Sequence, residues 1–357
     1  MSASRKPGRV RVVVAMSGGV DSSVAAALVS RAGYEAVGVT LRLLQKLDTG
    51  FGCCGSPEDV SDAKKVCETL GIPHYVLDAH ELFEERVVSP FVGDYLESRT
   101  PNPCVECNRH VKFGHLSRLA EAWDASFVAT GHYARVENGR LFRALDEEKD
   151  QTYFLYSLTS RELKRVLFPI GGLPKAEVRR IARELGLATA EKPESQEICF
   201  VPRRDYRGFI KGRSPETVGI SGPIQDREGR TLGTHAGLEN YTVGQRRGVG
   251  VSSPEPLYVT GMDPKSRTLY VGLEAQTYSH GLVAGNVSWT QGPPDDPLGI
   301  SVRIRHRARL APCCLSLDGE RVRVGFSEPQ RAVAPGQAAV FYRGDEALGG
   351  GTIMEAI

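Results

Sequence analysis

Residues 10–32 set a run of β-branched residues against an alanine-rich segment, with two glycines at the join. Val10–Ala15 reads as a buried strand, Ser17–Asp21 as a turn, and the segment to Ala32 as a helix that Gly33 stops. A strand feeding a helix through a tight turn predicts the first unit of a parallel sheet, because the next parallel strand is reached only by a crossover. The alternation continues. Tyr34–Leu43, His74–Leu77 and Ser126–Thr130 read as strands, and Glu58–Leu70, Glu81–Ser98 and Phe113–Trp123 as helices, with Gly71-Ile72-Pro73 as one stop. The predicted fold class is α/β, with a Rossmann-like parallel sheet covered on both faces.

The texture then changes. Near Phe168 a second region begins, with a helix at Lys175–Leu185 between Pro174 and Gly186. Past Ser221 short alternating strands dominate, at Leu257–Thr260, Thr268–Val271, Ser301–Arg309, Arg321–Phe326 and Ala338–Tyr342. They predict a small C-terminal β-barrel. A chain of 357 residues needs more than one core. The expected division is a catalytic domain at 1–165 with 190–210 returning to its active site, a central domain at 166–280 and the barrel at 281–357. No apolar run approaches the ~20 residues of a membrane helix, and the N-terminus lacks a secretory pattern, so a cytoplasmic protein is expected. In that reducing compartment the eight cysteines are not a disulfide framework. Clustered ones point to metal or thiol chemistry and the rest to packing.

The sharpest motif is Ala15-Met16-Ser17-Gly18-Gly19-Val20-Asp21-Ser22-Ser23. Two glycines let the backbone turn tightly and approach a phosphate, and the helix that follows offers N–H groups and the positive end of its dipole. Asp21 either caps the helix or reaches a magnesium ion held by phosphates. A plain capped turn is the bland alternative, but turn chemistry alone does not require this order of residues. The string resembles the PP-loop of ATP pyrophosphatases, which implies that ATP with Mg2+ adenylates an acceptor oxygen.

In Thr100-Pro101-Asn102-Pro103-Cys104-Val105-Glu106-Cys107-Asn108 two prolines predict a fixed loop, and the Cys104/Cys107 spacing suits a metal, a cluster or a redox dithiol. Cys199, in Ser195-Gln196-Glu197-Ile198-Cys199-Phe200, reads equally well as a small buried hydrophobe. With Gly71-Ile72-Pro73, Ala129-Thr130-Gly131-His132-Tyr133, Lys149-Asp150-Gln151, Gly233-Thr234-His235, Tyr241-Thr242-Val243-Gly244-Gln245-Arg246 and Pro335-Gly336-Gln337, these motifs make nearly the whole chain resemble the tRNA-specific 2-thiouridylases, the MnmA or TrmU family.

The resemblance implies that ATP adenylates the C2 oxygen of the wobble uridine. A persulfide on Cys199 then supplies the sulfur, and Cys107 is its partner, so a disulfide forms and must be reduced. It implies ATP contacts at Ala15, Met16, Ser17, Gly18, Gly19, Val20, Asp21, Ser22, Leu41 and Gly131. It implies tRNA contacts at Asn102, Pro103, Cys104, His132, Lys149, Asp150, Gln151, Arg305, His306, Arg307 and Gln337. The implied partners are glutamate, lysine and glutamine tRNAs and a sulfur-relay protein or cysteine desulfurase. One position departs: many relatives resemble Asn-Pro-Asp where this chain has Asn102-Pro103-Cys104. A third thiol admits a [4Fe–4S] cluster on Cys104, Cys107 and Cys199, with a metal-free persulfide relay as its rival. Cys53 and Cys54 stay unassigned, and Cys67, Cys313 and Cys314 read as packing.

The net charge is only +2, so any RNA surface must be local. Arg303, Arg305, Arg307 and Arg309 alternate, which in a strand puts four guanidiniums on one face, either against phosphates or in solvent. Two other function classes fit the sequence less well. A PP-loop synthetase or amidotransferase on a small molecule lacks a glutaminase signature here and does not need three cysteines. A non-enzymatic RNA binder does not need an intact phosphate loop.

Overall fold

The first strand runs Arg11–Ala15, leaving Val10 outside it and exposed, and its three valines are sealed from solvent. Val12, Val13 and Val14 each expose 0% of their surface, a burial that contributes roughly 1.5–3 kcal/mol per side chain. The computed structural model describes residues 8–44, 55–194, 198–202, 205–296 and 298–357. Cys53, Cys54 and the stretch Ser195–Glu197 lie outside the described residues. The chain divides into two units. One joins Met1–Val87, Cys104–Arg204 and Asp345–Ala347, and the other joins Val88–Pro103, Asp205–Gly344 and Leu348–Ile357.

In the first unit β1 (Arg11–Ala15), β2 (Glu35–Arg42), β3 (His74–Asp78), β4 (Phe127–Ala129) and β5 (Val166–Leu167) form one sheet in the order β3-β2-β1-β4-β5. Every pairing is parallel, with Val13 opposite both Val37 and Val128. The helices are α1 (Val20–Arg31), α2 (Pro57–Leu70) and α3 (Lys175–Glu184). Helix α1 is buried at Val24, Ala25, Ala26 and Ala27, which is why its sequence shows no polar face. Ser56 caps α2 by accepting from the Asp59 N–H at 3.1 Å, and Gly71 ends it in the left-handed region at φ 65°. Cys67 is core, as its helix position predicted.

The second unit holds a four-stranded sheet of Tyr258–Asp263, Thr268–Gly272, Gly222–Gln225 and Thr231–His235, in that order, around Ile224, Val259, Leu269 and Val271. Six further strands form an antiparallel barrel: Tyr278–Trp289, Arg321–Arg331, Ala311–Asp318, Ile300–Arg303, Ala338–Arg343 and Glu346–Ala356. Pairing of Leu282 with Ala356 closes it. The α/β class and the C-terminal barrel are as predicted.

Three local expectations fail. The predicted strand Ser301–Arg309 stops at Arg303, and the chain turns there, with the Ala308 N–H donating to the Arg305 carbonyl at 3.0 Å. Val302 and Ile304 do fill the barrel core, but Arg303 is buried over the Tyr342 ring, 5.3 Å from its centroid. The four arginines therefore do not share a face, because period two holds only while a partner strand continues the ladder. The stretch after Pro101 is not the fixed loop expected: Pro103 opens a helical turn, Pro103–Glu106, and Cys107–His115 continues it with π-type bonding. Proline is well suited to the first turn of a helix, where its missing N–H has no partner to lose. The helix expected at Glu81–Ser98 is interrupted by a π-helical turn at Glu84–Val88. Cys313 is buried as expected, while its neighbour Cys314 is exposed.

Candidate active site

Strand order reverses at β1, whose neighbours β2 and β4 lead away in opposite directions, so the crevice at its carboxyl end is the place for a ligand. The phosphate-loop candidates stand there. Gly18 has φ +72°, and a Cβ on it would lie 2.5 Å from the Asp59 carbonyl oxygen. Gly19 is the N-cap of α1 and supplies no side-chain cap, which leaves the first N–H groups of the helix to an incoming anion. The Ser22 hydroxyl organises the loop. It accepts from the Ser17 N–H at 3.2 Å and from the Ser17 hydroxyl at 3.1 Å, and donates to the Gly19 carbonyl at 3.0 Å. Gly131 closes on the same turn, since a Cβ there would lie 2.5 Å from the Ser22 nitrogen.

A cavity of about 330 Å³ opens at this point. Ala15, Met16, Ser17, Gly19, Val20, Asp21, Ser22, Leu41 and Gly131 line it, and so do His132, Lys149, Gln151 and Cys199. Residues remote in sequence, such as Gln151 and Cys199, thus share one wall with the phosphate loop. Lys175, Lys192 and Glu194, which line the cavity as well, were missed by sequence reasoning. Lys175 Nζ lies 2.8 Å from both Asp21 oxygens and 2.8 Å from Glu194 Oε1, while Lys149 donates to Glu194 Oε2 at 2.7 Å. The Tyr133 hydroxyl adds a 2.9 Å hydrogen bond to Asp21. Burial opposes ionisation of Glu194, but the hydrogen bonds from Lys149 and Lys175 overcome it and hold its carboxyl at about 2. Lys192 bridges Asp59 at 2.8 Å and Asp62 at 2.7 Å beneath the loop. No local signal in the sequence singles these lysines out.

The remaining predicted residues separate into distinct settings. The Asp150 carboxylate is turned inward, accepting from the Ala144 and Thr152 N–H groups and from the Thr152 hydroxyl. Gln151 accepts from the Tyr133 N–H at 2.9 Å. His132 is buried between Phe113 and Phe168, with Nδ1 2.8 Å from the Thr130 hydroxyl. Burial, then the Lys112 charge, push its pKa well below the ordinary value. An unfolded imidazole titrates near ~6.5, so below that pH the unfolded chain binds a proton that folded His132 refuses. Stability is therefore expected to fall as pH drops below ~6.5. The variant His132→Gln should flatten this acid limb. Denaturant titrations at several pH values would refute the assignment if parent and variant kept the same slope.

Among the thiols, Cys107 is buried at the start of its π-helical segment, Cys104 precedes it by about one turn, and Cys199 is half-buried on the cavity wall. Phe200 anchors the Cys199 segment edge-on to Phe83, centroids 5.5 Å apart. Cys104 keeps solvent access although protein crowds its sulfur. That crowding, then the proximity of Cys199, push its thiol up to about 11, against the pull of Lys112. At pH 8 its thiolate population is then about 100-fold below that of a thiol at 9.0. Cys104 should accordingly alkylate slowly at pH 8 and accelerate about 100-fold by pH 10, as peptide mass spectrometry would register; a rate that levels off above pH 9 contradicts the shift. None of the six described cysteines is in a disulfide. In the second unit, Gln337 donates to the carbonyls of Thr100 at 2.9 Å and Pro101 at 3.2 Å, just ahead of Asn102 and Pro103. Arg305 and Arg307 are exposed in the turn after Arg303, with His306 half-buried between them.

Three family models match in succession: the tRNA methyl transferase HUP domain at residues 10–203, the tRNA methyl transferase PRC-barrel domain at 207–273 and the aminomethyltransferase beta-barrel domain at 279–353. Over 365 residues the chain is 48% identical to tRNA-specific 2-thiouridylase MnmA 1 of Syntrophus aciditrophicus, covering 99% of this chain and 97% of that protein. It is 47% identical to tRNA-specific 2-thiouridylase MnmA of Geobacter metallireducens, covering 98% of each. Against the protein of the same name from Sorangium cellulosum it is 48% identical, covering 97% of this chain and 93% of that protein. Among solved structures, a 4-thiouridine synthetase–RNA complex with bound ATP aligns at 18% identity and TM-score 0.38, over 58% of this chain and 51% of that one.

Proposed function

Because this chain belongs to the tRNA-specific 2-thiouridylase family, we propose that it uses ATP to replace the C2 oxygen of the wobble uridine of tRNA with sulfur. The observation that carries this is the shared cavity: the phosphate loop, the N-terminus of α1 and the Cys199 thiol line one space. An activation site and a sulfur nucleophile must meet at the same carbon.

ATP lies against Ala15–Ser22, Leu41 and Gly131, and Asp21 would hold the magnesium that accompanies it. The uridine O2 attacks the α-phosphorus and pyrophosphate leaves, which turns a poor leaving group into AMP. Cys199 carries a sulfane sulfur received from a relay protein or a cysteine desulfurase. That terminal sulfur attacks C2 and AMP departs with the former oxygen. The Cys107 thiolate then attacks the Cys199 sulfur, breaking its bond to the transferred one. The 2-thiouridine is released, and a Cys107–Cys199 disulfide remains, which an external dithiol reduces with two electrons. Asn102, Pro103, Cys104, Lys149, Gln151, Arg305, His306, Arg307 and Gln337 meet the tRNA, for which the glutamate, lysine and glutamine acceptors are the candidates. His132 and Asp150, whose polar atoms are engaged inside the protein, act through the backbone they order.

A [4Fe–4S] cluster on Cys104, Cys107 and Cys199 does not fit this arrangement. Among the described residues no three cysteine, histidine or carboxylate side chains converge in a metal-holding group. We take the thiols to carry the sulfur themselves, and activity that appears only after iron reconstitution would overturn this assignment. Among the described residues no helix is long and apolar enough to cross a membrane, and the proposed reaction draws on ATP and tRNA of the cytoplasm. The test is thiolation of a glutamate, lysine or glutamine tRNA transcript with ATP and a persulfide donor, followed by nucleoside mass spectrometry. Absence of 2-thiouridine, before and after iron reconstitution, would sink the proposal.

A further inference from the structure

Lys175 stands against local physics. It is the first residue of α3, where the helix dipole is positive and a cation is disfavoured. Its side chain is only 12% exposed and its Nζ lies 5.6 Å from the centroid of the Tyr133 ring. Desolvating an ammonium at such a place requires compensation, which two carboxylates supply: Asp21 and Glu194, with three contacts of 2.8 Å. Asp21 lies in the first turn of α1, the end that would receive a polyphosphate. Lys175 is therefore one side chain away from the anion the loop is built to hold, and it is parked on groups that the same anion and its magnesium would compete for.

On the premise of ATP-dependent thiolation, we propose that Lys175 binds the β- and γ-phosphates of ATP and the departing pyrophosphate, with Glu194 as the counter-ion that holds it between turnovers. The nucleotide's accompanying cation would compete for Asp21, and the Lys175 ammonium, released from that contact, moves to the phosphates. In the transfer the bond from uridine O2 to the α-phosphorus forms while the bond from that phosphorus to the β-phosphate oxygen breaks. The electron pair leaves with pyrophosphate, and the Lys175 N–H groups donate to the charge that gathers there.

The test uses the full chain and two ligands, α,β-methylene ATP with magnesium and AMP, titrated calorimetrically into the parent, Lys175→Met and Lys175→Arg. One lost charge-assisted hydrogen bond predicts that Lys175→Met binds α,β-methylene ATP about 10- to 100-fold more weakly. AMP affinity stays unchanged, and Lys175→Arg recovers most of the loss. Equal losses for the two nucleotides, or none, would overturn the assignment and leave Lys175 a mere neutraliser of Asp21. Glu194→Gln removes a competitor for the ammonium and should tighten α,β-methylene ATP; weaker binding overturns the counter-ion role. A parent protein that binds neither nucleotide would instead contradict the ATP-dependent function itself.

Discussion

In Cys199→Ser, 2-thiouridine formation is expected to fall on the order of 10⁴-fold, while pyrophosphate release in the first turnover persists. A serine oxygen cannot hold a sulfane sulfur that must leave as part of the product, so the nucleophile is absent. Adenylation of the uridine oxygen needs only the phosphate loop and its cations, none of which is altered. Cys107→Ser should fail differently. Sulfur reaches C2, but nothing breaks the sulfur–sulfur bond, and the tRNA stays joined to Cys199 as an adduct that dithiothreitol releases. Single-turnover assays with radiolabelled tRNA on non-reducing gels separate the two cases. Thiolation by Cys199→Ser at the parental rate would mean that the sulfur arrives without a protein thiol, and no adduct in Cys107→Ser would remove Cys107 from the release step.

Gly131→Ala is the second large effect. A Cβ there would sit 2.5 Å from the Ser22 nitrogen and 2.6 Å from the Asp21 carbonyl carbon. Both are backbone atoms of the first turn of α1, so no side chain can swing aside. Displacement of that turn is expected to destabilise the first unit by about 3 kcal/mol, a drop in melting temperature of roughly 6–12 °C for a unit of this size. Because the displaced N–H groups are the ones offered to phosphate, ATP analogue affinity should fall by about 100-fold as well. Gly172→Ala is the control, since nothing lies within 4 Å of the Cβ it would add. Thermal melts and analogue titrations of the two variants decide the matter; a Gly131→Ala protein that matches the control would show that α1 can retreat without consequence.

The phosphate loop was visible in the sequence because its chemistry is local. Ser17, Gly18, Gly19, Asp21 and Ser22 lie within six positions, and the strand and helix that flank them declare themselves by β-branching and alanine content. The hairpin at Ala134–Glu137 and Arg140–Arg143 was overlooked although it carried a local signal: Asn138 and Gly139 both have positive φ, the requirement of a tight hairpin turn. Pro103 misled because a proline reads as a break whether it ends a helix or starts one.

Composition and order along the chain therefore determined the α/β class, the barrel and the glycine turn between β1 and α1. They also supplied the thiols. Tertiary structure alone decided which charges meet. Lys175 and Asp21 are 154 positions apart, and Lys192 and Asp59 133. Their side chains gained a role only when β1, α1 and α3 packed into one unit. It decided too that Arg303 stacks on a buried tyrosine while Arg305 and Arg307 reach solvent. The physical reason is one of range. Backbone preference and periodicity act over a few residues, whereas ion pairing and burial depend on distances that exist only after the chain has folded.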